Sequence, residues 1–98
     1  MDSRIYMVAK FQAQPEKRDE LLGRLQEMVK LTQMEPGCVF YHLHVDRESR
    51  DIFYFTECWK DQAALDFHMK TSYIQAILLD APLLTTSGIS INFMNRID

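Results

Sequence analysis

Two periodicities divide the chain. Between Arg4 and Phe11, Ile5, Met7, Ala9 and Phe11 alternate with Tyr6, Val8 and Lys10, which predicts a strand with apolar residues on both faces. Gln12 to Pro15 ends it, and Pro15 suits the first turn of a helix. From Glu16 to about Gln33 the spacing becomes helical: Leu21, Leu22, Leu25, Met28, Val29 and Thr32 form one stripe. Glu35-Pro-Gly-Cys38 turns the chain. Alternation then returns in Cys38 to Asp46, with Val39, Tyr41, Leu43 and Val45 on one face. It continues in Asp51 to Lys60, with Phe53, Phe55, Glu57 and Trp59 on one face. The polar stretch between these two strands predicts an antiparallel hairpin.

A second helix is expected over Asp61 to Met69, with Asp61 as N-cap and Ala64, Leu65, His68 and Met69 on one side. Ser72 is the expected cap of a further helical segment, Tyr73 to Leu79, which Asp80-Ala-Pro82 should stop. Ile89, Ile91 and Phe93 mark a last strand after a connection of undefined shape, and Asn95 to Asp98 reads as a tail. The order strand, helix, strand, strand, helix, strand predicts an α+β, ferredoxin-like β-α-β-β-α-β fold over a single domain, residues 1–98. Both helices should cover the sheet face that carries Phe53, Phe55, Glu57 and Trp59. The opposite face also carries apolar residues, so a face-to-face homodimer is expected.

Glu57 is the polar residue on an otherwise aromatic strand face, where a carboxylate requires a partner. His68 lies about two turns into the next helix and could reach it. Glu57 and His68 are therefore the candidate catalytic pair, though the same pair could simply fasten the helix to the sheet. A net charge of −3 argues against nucleic acid as partner. No apolar run approaches the roughly 20 residues of a membrane span, and no signal peptide is visible, so a cytoplasmic protein is expected. Cys38 and Cys58 read as small apolar fillers rather than a disulfide, redox or metal motif. His42 and His44 share a strand face without further ligands nearby, so no metal centre is expected.

Glu35-Pro-Gly-Cys38 followed by Tyr41, then Glu57-x-Trp59, then Ala63-Ala-Leu65-x-x-His68 and Thr71, resembles the antibiotic biosynthesis monooxygenase family across nearly the whole chain. The resemblance implies a dimeric α+β barrel and a cofactor-free oxidation of quinols or polycyclic phenols by dioxygen. On this chain it implies Glu57 and His68 as proton-handling residues. Trp59, Phe53, Phe55, Tyr41 and Tyr73 would contact a small aromatic substrate. The haem-degrading branch of the family carries an Asn in the first strand. Met7-Val8-Ala9-Lys10 has none, which argues against that branch. Two other functions fit the same residues: a ligand-binding module without turnover, and an oxygen-independent, isomerase-like proton transfer on a small carbonyl compound.

Overall fold

The computed structural model describes residues 3–98. Strand β1 (Ile5–Ala13) leads through a single 3-10 turn (Pro15–Lys17) into helix α1 (Arg18–Thr32). The hairpin β2 (Cys38–Val45) and β3 (Ile52–Trp59) follows, then α2 (Gln62–Met69), α3 (Ser72–Leu84) and β4 (Thr85–Met94). Among the described residues the four strands form one antiparallel sheet in the order β2-β3-β1-β4. Strands adjacent in the sheet but distant in sequence, β3 with β1 and β1 with β4, are what the split β-α-β repeat produces. This is the expected ferredoxin-like α+β architecture.

The helices cover the predicted face. Leu21, Leu25, Met28 and Thr32 are the buried stripe of α1. Leu21, Leu25 and Met28 meet Met7, Ala9, Phe11, Phe53, Phe55 and Trp59 in one core. Burying such side chains stabilises the fold by about 1.5–3 kcal/mol each, and it fixes the sheet's handed face against α1 and α3. The turn between β2 and β3 is closed by Asp46, whose carboxylate accepts from the backbone N–H of Glu48 and Ser49 and from the Tyr54 hydroxyl.

Four local expectations are corrected. Val39 does not share a face with Tyr41. Cys38 pairs with Trp59 and Phe40 with Cys58, so β2 advances two residues while β3 advances one. This bulge turns Val39 outward and places Cys38 against the core. Thr71, not Ser72, caps α3, accepting from the Ile74 N–H. Helix α3 also runs through Pro82 to Leu84. So near the C-terminus a proline removes a single helical hydrogen bond, and the Thr85 hydroxyl takes up the Ala81 carbonyl at 2.7 Å.

The connection before the last strand is itself strand. Ala13 pairs with Thr85 and Phe11 with Ile89, so β4 advances four residues against two in β1. Gly88 (φ +78°) supplies the left-handed residue, and its N–H donates to Thr85 Oγ1.

Candidate functional site

The site begins at a close approach. Cys38 N–H donates to the Glu35 carbonyl across the Glu-Pro-Gly-Cys turn, and Lys60 N–H donates to the Gly37 carbonyl. A Cβ on Gly37 would lie 2.3 Å from the Ala64 Cβ. Glycine is therefore required here for contact, because α2 rests directly on the turn. Asp61 starts α2 by accepting from the Ala64 N–H at 2.9 Å, as its sequence position predicts. His68, one turn beyond Ala64, is thereby brought to the other end of the same turn.

There His68 Nδ1 meets Glu35 Oε2 at 2.8 Å, with both side chains almost fully buried. The expectation that Glu57 is the carboxylate on His68 is corrected: Glu35 is. The Tyr73 hydroxyl donates a short hydrogen bond to the same Oε2. With Nδ1 engaged by Glu35, Nε2 is the other ring nitrogen of His68. Glu35 Oε1 is buried and makes no hydrogen bond among the described residues.

Glu57 is held differently. Its Oε1 accepts from Trp59 Nε1 at 3.1 Å, and it is 4% exposed. Trp59 also stacks on His68, with ring centroids 4.4 Å apart and planes inclined by 32°. Trp59 thus clamps Glu57 by its N–H and His68 by its face. Burial pushes the Glu57 carboxyl up to about 7; the Trp59 hydrogen bond opposes this and the nearby Glu35 charge adds to it. At neutral pH Glu57 is therefore divided between acid and carboxylate. Burial likewise raises the Tyr41 phenol, with Glu57 adding to it, and pushes Tyr73 up to about 12, where the bond to Glu35 contributes next.

Glu57, His68, Tyr41 and Phe55 border one narrow cavity of about 20 Å³, whose remaining walls are apolar and include Met28 and Met69. Tyr41 packs against Phe55 at 4.5 Å and His68 at 5.7 Å. The other sequence candidates stand off this cavity. Phe53 lies beneath the Arg18 guanidinium, 5.2 Å from its carbon. Trp59 is fully buried behind His68, and Tyr73 faces a cleft between α1 and α3 while its hydroxyl reaches Glu35. Glu35 was the residue that sequence reasoning missed as a site member. It read as punctuation in a turn motif, and its acidity beside a Pro-Gly pair was the available signal.

His42 and His44 lie on the opposite sheet face. His42 stacks on Phe40, and His44 Nε2 contacts Thr56 Oγ1 at 3.0 Å. Among the described residues no group of three or more His, Cys, Asp or Glu side chains is placed to hold a metal ion. Among the described residues neither cysteine is in a disulfide. No helix among the described residues is long and apolar enough to cross a membrane.

A ferredoxin-like sheet whose helices bury His68 against Glu35, with Glu57 bordering the same cavity, defines a small α+β domain with a buried histidine–carboxylate pair. Its family is shown by comparison. The family model described as antibiotic biosynthesis monooxygenase matches residues 4–78, and the chain belongs to that family. It is 35% identical over 85 residues to YcnE of Bacillus subtilis, provisionally named a monooxygenase, covering 81% of this chain and 90% of YcnE. It is 30% identical over 81 residues to the uncharacterized protein sll1783 of Synechocystis sp., covering 83% of this chain and 55% of that longer relative. The crystal structure of PA3566 from Pseudomonas aeruginosa superposes with a TM-score of 0.91 at 28% identity, over 100% of this chain and 98% of that one.

Proposed function

We propose that this protein is a cofactor-independent monooxygenase that oxidises quinols or polycyclic phenols with dioxygen. The observation that supports this reading is the enclosure of His68, with its Nδ1 on Glu35, and of Glu57 around one apolar cavity. His68 Nε2 takes the phenolic proton, and the Glu35 carboxylate stabilises the resulting imidazolium. The electron-rich anion transfers charge to dioxygen, and a C–O bond forms at a ring carbon that bears hydrogen. Loss of that hydrogen with cleavage of the O–O bond converts the carbon to a carbonyl and releases water, so one oxygen atom enters the product. Glu57, in its neutral form, is the proton donor to the departing oxygen. The substrate supplies the electrons; the protein supplies a base, an acid and a dry enclosure.

The same acid–base pair suits an oxygen-independent proton transfer on a carbonyl compound, and the apolar cavity suits ligand binding alone. Oxygen uptake separates the three readings. Purified protein, freed of metal and flavin, is given a panel of hydroquinones and polycyclic phenols beside the His68→Ala variant. Uptake well above autoxidation, lost in the variant by about 100-fold or more, is the expected result. Uptake unaffected by His68→Ala would overturn the assignment of the base, and none across the panel would overturn the oxygenase.

We also infer a homodimer. On the uncovered sheet face, Tyr6, Phe40 and Met94 lie in one row across the strands, with Val8 beside them. None of these is fully buried, and Met94 is 45% exposed. The next rows hold His42, Thr56 and Asn92 around Val8, then His44, Tyr54, Lys10 and Ser90, so the apolar character is greatest at one end of the face. That end is the surface a second copy would cover.

A further inference from the structure

A cavity of about 20 Å³ is far too small for the proposed substrate. It has room for about one water, whereas a single benzene ring takes a cavity on the order of 150 Å³. An aromatic ligand therefore enters only by displacing a wall. Leu78, Ile89 and Ile91 on the α3–β4 side are partly exposed walls, the two isoleucines β-branched and held in the β1–β4 pairing, and three further wall residues border an open surface depression. Tyr41 borders a groove between α1 and β2, Met28 a cleft between α1 and α3, and Met69 a groove of about 490 Å³ between α2 and β4.

The first two are poor doors. Tyr41 is 1% exposed and wedged against Phe55, His68 and Trp59, and its carbonyl is tied to Gln33 Nε2. Met28 is 4% exposed one turn before the end of α1, and the cleft beyond it is flanked by the Arg24–Asp80 ion pair at 2.9 Å. Met69 differs on each count. It is the last residue of α2, half-buried, and its carbonyl is anchored by Gln75 Nε2 at 2.6 Å. The backbone is thus held while an unbranched thioether side chain with three rotatable bonds remains free to turn. Behind it lie His68 and Glu57; in front of it the groove is floored by Ile5, Leu65 and Phe93.

We propose that Met69 is the gate and the size-determining residue of the site. Turned aside, it joins the narrow cavity to the α2–β4 groove, so that an aromatic head reaches His68 while an apolar substituent lies along Leu65 and Phe93. This rests on reading the site as one for an aromatic ligand, and it assigns that ligand an apolar extension.

The test uses 1,4-naphthoquinone, which is already oxidised and consumes no oxygen. Binding is followed by stopped-flow quenching of Trp59, the single tryptophan of the chain. Met69→Ala should raise the association rate constant about tenfold and Met69→Phe should lower it about tenfold, as for binding limited by a conformational step. Leu31→Ala, in the α1–α3 cleft, should leave it within about twofold. Circular dichroism confirms that each variant is folded. Acceleration by Leu31→Ala with none by Met69→Ala would overturn the gate, and so would absence of quenching in Met69→Ala. Rates that follow Met69 without oxygen uptake from hydroquinones would leave the gate standing and remove the oxygenase. Uptake with rates indifferent to Met69 would do the reverse.

Discussion

Replacing Glu57 with Gln tests the electrostatics of the site without requiring a substrate. Gln keeps the shape and can still accept from Trp59 Nε1, but it carries no titrating group. An exposed glutamate loses its proton near 4.5, whereas burial holds the folded Glu57 carboxyl to about 7. Between those values the folded chain binds more protons than the unfolded one. Raising the pH through this window therefore destabilises the fold, and the loss is complete above about 7. A displacement from 4.5 to about 7 corresponds to about 3 kcal/mol, a large part of the stability of a small domain. Urea unfolding of wild type and Glu57→Gln at fixed protein concentration, from pH 4 to pH 8.5, gives the assay. Subtracting one curve from the other cancels groups the two chains share. The stability of the variant relative to wild type should climb by about 3 kcal/mol across the window and then stay level. A difference that is flat with pH would refute the claim that Glu57 is buried as a carboxyl held back from ionising.

Gly37→Ala should lower the melting temperature by about 10 °C, from about 2 kcal/mol of overpacking against Ala64, and an unchanged melt would show that α2 does not rest on the turn. The Cys38 thiol, pushed from 9.0 up to about 11 chiefly by burial and then by Glu35, should hold about 100-fold less thiolate than a free cysteine at neutral pH. Iodoacetamide labelling should accordingly be slow in the folded protein and fast in guanidinium; rapid labelling of the native chain would restore a reactive role for this residue. Sizing chromatography should give a species near twice the 11.6 kDa chain mass, and a monomer at micromolar concentration would leave the Tyr6, Val8 and Phe40 patch without its proposed cover.

Much of this molecule is decided locally and is therefore legible in the chain. The Leu21, Leu25, Met28 and Thr32 spacing makes one helical face whatever it packs against, and Asp61 caps α2 by a bond three residues away. Alternation in β1 and β3 sorts Met7, Ala9 and Phe11 with Phe53, Phe55, Glu57 and Trp59 because a pleated strand has a period of two. The ferredoxin-like order and the membership of His68 and Glu57 in one buried region follow from such patterns. The partner of His68 does not. Glu57 is 11 residues away and Glu35 is 33, and both are plausible from spacing. What selects Glu35 is the contact of Gly37 with Ala64, a close approach between a turn and a helix that neither segment encodes alone. The same holds for the bulge at Val39, which needs β3 as a ruler, and for α3 continuing past Pro82, which needs only one lost bond to be tolerated. The narrow cavity and its proposed methionine door belong wholly to tertiary structure. The chain alone specifies which side chains are apolar, and packing decides how little space they leave.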